Sequence, residues 1–395
     1  MEITHEYAQS IVEKTKDLLG KNINIMNSLG IIVGSGDKSR IDTYHEGAAE
    51  VIKTGKSMEI TSEQAEKLEG VKPGVNLPVY LNDRIVGVVG ITGEPDEVRP
   101  FGQLLKISVE TMLNQIFLSE QLRMEQNAKE LYVNDIINGN IQDINAFLTK
   151  GQVFGFDMTI YRIALAVKIK ESINTGHKKL ASQEIQEKIL ACIKNVFNNP
   201  QHMVSHNGSN NYIVLYATDE TDPEFIKEEL SKTAEILKRN LSKYSATFSI
   251  GVGSYYPSLS GIRKSYKEAV KALQLQEKIL KGSQTLPELI FASDIALEMM
   301  LSAVPEEIID TYIDQVVSKG EAKTFLKDKK LTTTLKTYFS SNLNISKTAK
   351  TLNVTRNTVS SRLEKIKELT GLDPSDFNDA LKLDVLLRAV YIKEI

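Results

Sequence analysis

The chain has 395 residues, 41% of them hydrophobic and 25% charged, a globular balance that excludes a disordered, collagen-like or small disulfide-stapled protein. At roughly 100–200 residues per domain, the length predicts two to four domains. Forty-eight Lys and Arg against 51 Asp and Glu leave a net charge of -3, which excludes a polyanion binder acting through overall charge; with Cys192 as the single cysteine, an intramolecular disulfide and a cysteine-based zinc centre are excluded too.

The first 19 residues lack the basic and apolar regions of a secretory signal, and no run approaches the ~18–20 apolar residues of a membrane span. A cytoplasmic chain without a membrane partner is therefore expected. Tyr7, Ile11, Val12, Leu18 and Leu19 recur at helical spacing, and Gly20 stands where a helix ends. Two β-prone runs around Asn27-Ser28-Leu29-Gly30 predict a hairpin, with Gly34 and Gly36 closing its second arm. Positions 43–54 return to a helical pattern. A second hairpin over 75–93 turns at Asn82-Asp83, and Pro100 is expected to open a long helix through about Asn138. This order predicts a small antiparallel sheet carrying helices, the layout of sensor modules. On the long helix Leu105, Val109, Met112 and Ile116 form an a/d-like stripe that suits either a dimer seam or burial on its own domain.

A second unit starts near Ile141. Strands are predicted at 161–169, within 202–216 as a strand-turn-strand, and at 246–254; helices are predicted at 185–197, 225–241 and 262–280. From Leu286 onward the pattern is helical, with no strand expected. The domains read as 1–138, 139–283 and 284–395, joined by helices rather than flexible tethers.

The stretch Leu331–Gly371 carries the clearest chemistry. Ile345, Thr348, Ala349 and Leu352 fit a short helix, Asn353-Val354 a turn, and Thr355 the N-cap of a helix whose apolar stripe is Val359, Leu363 and Ile366. With Val359 inward, Asn357 and Ser361 point outward, flanked by Arg356 and Ser360. Short polar and bidentate side chains on an exposed helix start are what base-edge readout requires, Arg pairing with guanine and Asn with adenine. Between Lys336 and Leu369, seven basic residues stand against Glu364 and Glu368, a local +5. The DNA-contacting set is Lys347, Lys350, Thr355, Arg356, Asn357, Thr358, Ser360 and Ser361.

The motifs L-x-x-T-L, S-x-T-A-x-x-L-x-V, R-N-T-V-x-x-R-L-x-x-I and L-T-G-L-D-P stand here in order, and the segment closely resembles the C-terminal helix-turn-helix of the PucR/CdaR regulators. One departure is Thr355, where the family often has His. Residues 3 to about 137 resemble the sugar-diacid recognition domain of CdaR-type regulators through NINIMNSLGIIVGSGDKSRI, HEGAAEVI, GVKPGVNLPVYLNDRIVGVVGITGEPDEVR and FGQLLKISVETML. That resemblance implies a small carboxylate ligand such as glycerate, glucarate or galactarate. Family members commonly carry Gly where Asp42 stands, and a carboxylate there would repel such a ligand. An organic acid needs cations or backbone donors in a partly dry pocket, so the candidate ligand residues are Ser35, Arg40, His45, Asn76, Leu77, Thr92 and Gly93; each also has an ordinary structural reading as turn, cap or helix-start chemistry.

The central unit resembles the GGDEF-like domain of the same regulators in SATFSIGVGSYY and SYKEAVKALQLQ. Nucleotidyl cyclase chemistry needs carboxylates to hold two metal ions. Here Gly208-Ser209-Asn210-Asn211-Tyr212 lies over the signature with both acids replaced by amides, and the first strand offers Lys168 and Lys170 instead of acids. No catalytic residue, cofactor or metal site is expected; His5, His45, His177, His202 and His206 are scattered. The reading is a multidomain α+β protein: a PAS/Cache-like sensor sheet with flanking helices, a degenerate GGDEF-like α/β domain and an all-α helix-turn-helix domain. It implies a non-enzymatic, ligand-responsive transcriptional regulator that binds double-stranded DNA as a homodimer. The alternative class is an enzyme or binder of cyclic dinucleotides acting through the central domain.

Overall fold

A computed structural model describes residues 3–68, 71–171, 183–208, 210–220, 222–279, 288–316 and 322–393; the expectations at His177, Ser209 and Leu286 lie outside the described residues. The chain divides into two compact units, Met1–Asn127 and Ala128–Ile395.

The first unit runs α1 (His5–Leu19), β1 (Ile23–Asn27), β2 (Ile32–Ser35), a 3-10 turn (Lys38–Arg40), α2 (Glu46–Thr54), β3 (Met58–Ile60), α3 (Ser62–Ala65), β4 (Gly74–Leu81), β5 (Arg84–Thr92) and the start of α4 (Pro95–Asn138). The strands form one antiparallel sheet in the order β2-β1-β5-β4-β3. Both expected hairpins are present, and their turns explain their sequences. Asn27 Oδ1 accepts the N–H groups of Leu29 and Ile31, while Asn82 and Asp83 take the left-handed backbone (φ 49° and 61°) of a two-residue hairpin turn.

Alternation along the strands splits the unit into two cores. Ile23, Ile25, Val75, Leu77, Val89 and Ile91 face α1 and α4, whereas Met26, Ile32 and Val88 face α2 with Ala48 and Val51. Leu105 and Val109 of α4 are buried in the first core with Met112 at its margin, so the a/d-like stripe serves its own domain. Pro100 does not open α4. That helix begins at Pro95 and keeps Pro100 inside it, where one lost hydrogen bond near an exposed helix start is tolerated. The three-residue β3 and four-residue α3 escape periodicity because neither completes a repeat.

The second unit continues from the end of α4 through α5 (Ile144–Val153), β6 (Arg162–Glu171), α6 (Gln183–Val196), β7 (Met203–His206), β8 (Asn211–Ala217), α7 (Pro223–Leu241), β9 (Ala246–Val252), α8 (Leu259–Ile279) and β10 (Leu289–Phe291). Its sheet has the order β10-β9-β6-β8-β7, with β10 parallel to β9 and the other pairs antiparallel. Helices α6 and α7 cover one face through Ile189, Leu230 and Leu237; α8 covers the other through Ala269 and Leu273. β10 corrects the expectation of no strand beyond position 286. Its three half-buried residues lie on a sheet edge, too few to show a period of two.

Then follow α9 (Ala296–Leu301), α10 (Glu306–Val316), α11 (Ala322–Lys327), α12 (Lys329–Ser340), α13 (Ile345–Thr351), α14 (Arg356–Thr370) and α15 (Phe377–Lys393). Phe325, Leu335, Val359, Ile366, Leu383 and Leu386 share one core. The architecture is α+β with three domains: an antiparallel sheet with helices, a mixed-sheet α/β layer, and a helical module. No described helix is long and apolar enough to cross a membrane.

Candidate functional site

The first-unit sheet places a polar row on its α2 face. Strand register aligns Ser35 with Asn24, Asn24 with Gly90, and Gly90 with Asn76. Side chains at paired positions project to the same face, so one lateral row across four strands carries a hydroxyl, an amide, a bare glycine and another amide. Ser35, Asn24 and Asn76 are all buried. Three polar groups in a row inside a domain this size need a reason, because buried polar groups cost free energy unless they are hydrogen-bonded.

Part of the row is internally satisfied. Ser35 Oγ donates to Asn24 Oδ1 at 2.7 Å and accepts the Asp37 N–H at 3.0 Å. Gln9 of α1 brackets the Ser35 backbone, accepting its N–H at 3.1 Å and donating to its carbonyl at 3.3 Å. Ser35 is thus a fixed post that orients Asn24. Asn76 differs: among the described residues no hydrogen bond engages its amide. A Cβ on Gly90 would come within 2.7 Å of Asn76 Oδ1, so the glycine leaves the space that the amide faces.

His45 and Arg40 close the same region from the loops. His45 caps α2, its Nδ1 accepting the Ala48 N–H at 3.1 Å. That bond makes Nδ1 the acceptor and leaves Nε2 as the protonated, donating nitrogen of a neutral ring. Burial, and then the nearby Arg40 charge, push the His45 pKa down to about 4. Arg40 is itself buried, and burial lowers its pKa, yet a guanidinium stays charged at neutral pH. The position of a Cβ on Gly47, in the first turn of α2, lies 3.3 Å from His45 Cε1 and 3.5 Å from Asn76 Nδ2. The fold therefore gathers a buried cation, an imidazole N–H, an amide and the start of a nine-residue helix whose first N–H groups favour an anion.

The other candidates fall differently. Leu77 packs in the α1–α4 core, on the sheet face opposite Asn76, so its side chain is not part of this cluster. Thr92 shares the Asn76 face by alternation, two residue pairs further along β5 from Gly90. Gly93 has φ 151°, and a Cβ there would strike Val98 at 2.6 Å; its role is to let β5 turn into α4. Asn24, Gly47 and Gly90 belong to the cluster but were not among the sequence candidates, since only register across strands brings them together. Asp42 is exposed with φ 64°. A glycine is natural at such a backbone position, and the added carboxylate points to solvent rather than into the buried cluster.

The helical module presents the opposite situation. Asn344 caps α13, accepting the Lys347 N–H at 2.9 Å, and Thr355 caps α14, accepting the Thr358 N–H at 3.2 Å. Asn353 takes a left-handed turn (φ 55°), and Val354 packs at the margin of the core. Val359, Leu363 and Ile366 are buried, while Lys347, Lys350, Thr355, Arg356, Asn357, Ser360 and Ser361 are exposed around the start of α14. Thr358 is half-buried, its hydroxyl 2.9 Å from that of Thr355. Some of the local positive charge is already used: Lys365 pairs with Glu368, Lys367 with Asp373, and Arg362 donates to Thr334 on α12. Lys347 and Lys350 on α13 and Arg356 at the start of α14 remain exposed.

In the central sheet, Lys168 of β6 pairs in register with Asn211 of β8. Both line a cavity of about 280 Å³ with Asn207, Tyr266 and Gln274. Among the described residues no group of three or more His, Cys, Asp or Glu side chains is placed to hold a metal ion. His202 accepts the Ala217 N–H and stacks on Tyr216, whereas His206 contacts Tyr212.

Known proteins match this layout. Residues 3–136 match the sugar diacid recognition family, 138–275 the GGDEF-like domain, and 331–389 the PucR C-terminal helix-turn-helix domain. The chain is 31% identical over 386 residues to the carbohydrate diacid regulator of Escherichia coli strain K12, covering 96% of each protein. It is 26% identical to YsfB of Bacillus subtilis strain 168, again covering 96% of each, and 26% identical to the purine catabolism regulatory protein of the same organism, covering 79% of this chain and 58% of that one. These relatives indicate a non-enzymatic regulator, and the chain belongs to the CdaR family of DNA-binding transcriptional regulators with a sugar diacid recognition domain.

Proposed function

We propose that this regulator senses a small sugar acid of the glycerate, glucarate or galactarate class and reads its operator as a homodimer. The observation that carries the ligand reading is the buried Arg40 near neutral His45, whose helix start at Gly47 lies against Asn76 of the Asn24–Gly90–Asn76 row. A carboxylate would meet the guanidinium and the Nε2–H, and the amides would take the hydroxyl groups of a polyol chain. The half of the row already tied to Ser35 keeps Asn24 in place, which lowers the ordering cost of binding.

Lys347 and Lys350 would hold phosphates, while Arg356 and Asn357, with Ser360 and Ser361, would meet base edges. One recognition helix makes few base contacts, and two-fold pairing doubles them. Thermal melting of the full chain against glycerate, glucarate and galactarate tests the ligand reading. One of the three should raise the melting temperature in proportion to the logarithm of its concentration. A flat response to all three, with intact operator binding, would refute it.

A further inference from the structure

The outward face of α4 in the first unit carries five large apolar side chains and no charge, although nothing in that unit covers it. Phe101, Leu104, Ile107, Leu118 and Leu122 are each between 45% and 63% exposed. At about 100° per residue, all five lie within about 60° of the Leu104 direction, interspersed with the uncharged polar residues Ser108, Thr111, Gln115 and Ser119. The buried side of the helix, with Leu105, Val109 and Leu113, points the other way. Between positions 101 and 122 the charged residues are Lys106, Glu110 and Glu120, and each is occupied away from this face. Lys106 pairs with Glu110 and lies over the Tyr80 ring, and Glu120 accepts from Tyr7. A charge-free stripe about 30 Å long that bears five exposed large apolar side chains is unusual for a surface helix, whose outer side ordinarily carries charge.

We infer that this stripe is the seam on which a second copy of the chain docks, helix α4 against helix α4. The inference rests on the homodimer reading above and gives it a surface. A second copy fits for two reasons. A face without charge needs no partner of complementary sign, so it is self-complementary under a two-fold axis. Covering five such side chains on each of two copies removes on the order of 1,000 Å² from water, the size at which specific interfaces begin. Thr111 sits midway between Phe101 and Leu122, so it meets its counterpart whether the two helices run parallel or antiparallel.

Two measurements on the full chain test the seam. In a Cys192→Ser background, Thr111→Cys should form an intermolecular disulfide under mild oxidation, whereas Cys192→Ser alone should not. A Leu104→Glu/Leu118→Glu double variant should weaken the dimer at least ~100-fold by sedimentation, because like charges would face each other in a dry contact. It should still fold with the wild-type circular dichroism spectrum, since these side chains lie opposite the core; only the share of stability that dimerisation adds should be lost. A double variant that dimerises as tightly as wild type, with no Thr111→Cys cross-link, overturns the seam while leaving a homodimer through another surface. A wild-type chain that stays monomeric through the micromolar range overturns the seam and the homodimer together. Sugar-acid melting shifts on the same samples report separately on the ligand reading.

Discussion

The two ends of the molecule handle polar side chains in opposite ways. Around Arg40 and His45 the polar groups are buried, partly satisfied by one another and drawn from the loops and three strands. At the start of α14 they are exposed and displayed by one helix on a rigid core. A buried cluster recognises a small molecule by being dry and short of one partner; an exposed helix end recognises a surface that brings its own charge. Substitutions should therefore act differently at the two ends. In the sensor, binding should be lost with little loss of stability, whereas at the helix the effect should depend on which DNA is offered.

The largest effect belongs to Arg40→Met. Removing the buried guanidinium should lower sugar-acid affinity by at least ~100-fold, about 3 kcal/mol, as expected for a desolvated charge-assisted contact. The melting temperature of the free protein should stay level or rise, because an apolar side chain of similar length replaces a charge that burial disfavours. Calorimetry and melting on one preparation would check both. Unchanged affinity would place the ligand elsewhere.

His45 sets the next effect, through pH. Its folded pKa of about 4 lies below the ordinary 6.5. Below pH 6.5 the unfolded chain takes up a proton that the folded one does not. Stability should be intact above pH 6.5 and decline as pH falls toward 4, by about 3 kcal/mol. His45→Asn keeps an N-cap acceptor and should remove this share of the acid loss. His202, also held at about 4 by burial, should keep its own share in the second unit. Denaturant unfolding at several pH values would show it, and an identical pH profile in the variant would contradict the buried neutral ring.

At the DNA end, Arg356→Ala should cost about 1–3 kcal/mol on the operator and far less on random DNA. Lys347→Ala should weaken both alike and flatten the salt dependence by about one phosphate contact. Gel-shift titrations at two salt concentrations separate these outcomes; equal loss on both DNAs for Arg356→Ala would remove it from base readout.

The same contrast decides what the sequence discloses. The recognition module is legible because its determinants are local: Thr355 caps, Val359, Leu363 and Ile366 repeat at helical spacing, and what remains must face out. Both hairpins are legible through Asn27–Gly30 and Asn82-Asp83. The sensor cluster is legible in part, through its loop members Arg40 and His45 and through Ser35 and Asn76 beside the turn signals. Asn24, Gly90 and Gly47 join it through strand register and helix placement, which are properties of pairing at long range. Leu77 illustrates the error this invites. It adjoins Asn76 in sequence, yet a strand turns neighbouring side chains to opposite faces, and Leu77 packs in the α1–α4 core.

The smallest predicted effect concerns Asp42, one of the two positions, with Thr355, where the chain departs from the pattern it resembles. At Asp42 the backbone has φ 64°, a conformation costing an L-residue about 1–2 kcal/mol, and less for Asp or Asn. Glycine adopts it freely but brings a more mobile unfolded chain. Because Asp42 is exposed and its N–H is held by the Ile32 carbonyl at 2.9 Å, the loop geometry is fixed by backbone contacts rather than by the side chain. Asp42→Gly should therefore stabilise the first unit by only about 0.5–1 kcal/mol and leave sugar-acid affinity within about two-fold, since a screened surface carboxylate acts weakly on a buried site. Melting and calorimetry would measure both. A large gain in affinity would mean that the carboxylate does repel the ligand, and that the binding site opens toward the Asp42 loop rather than onto the Asn76 row.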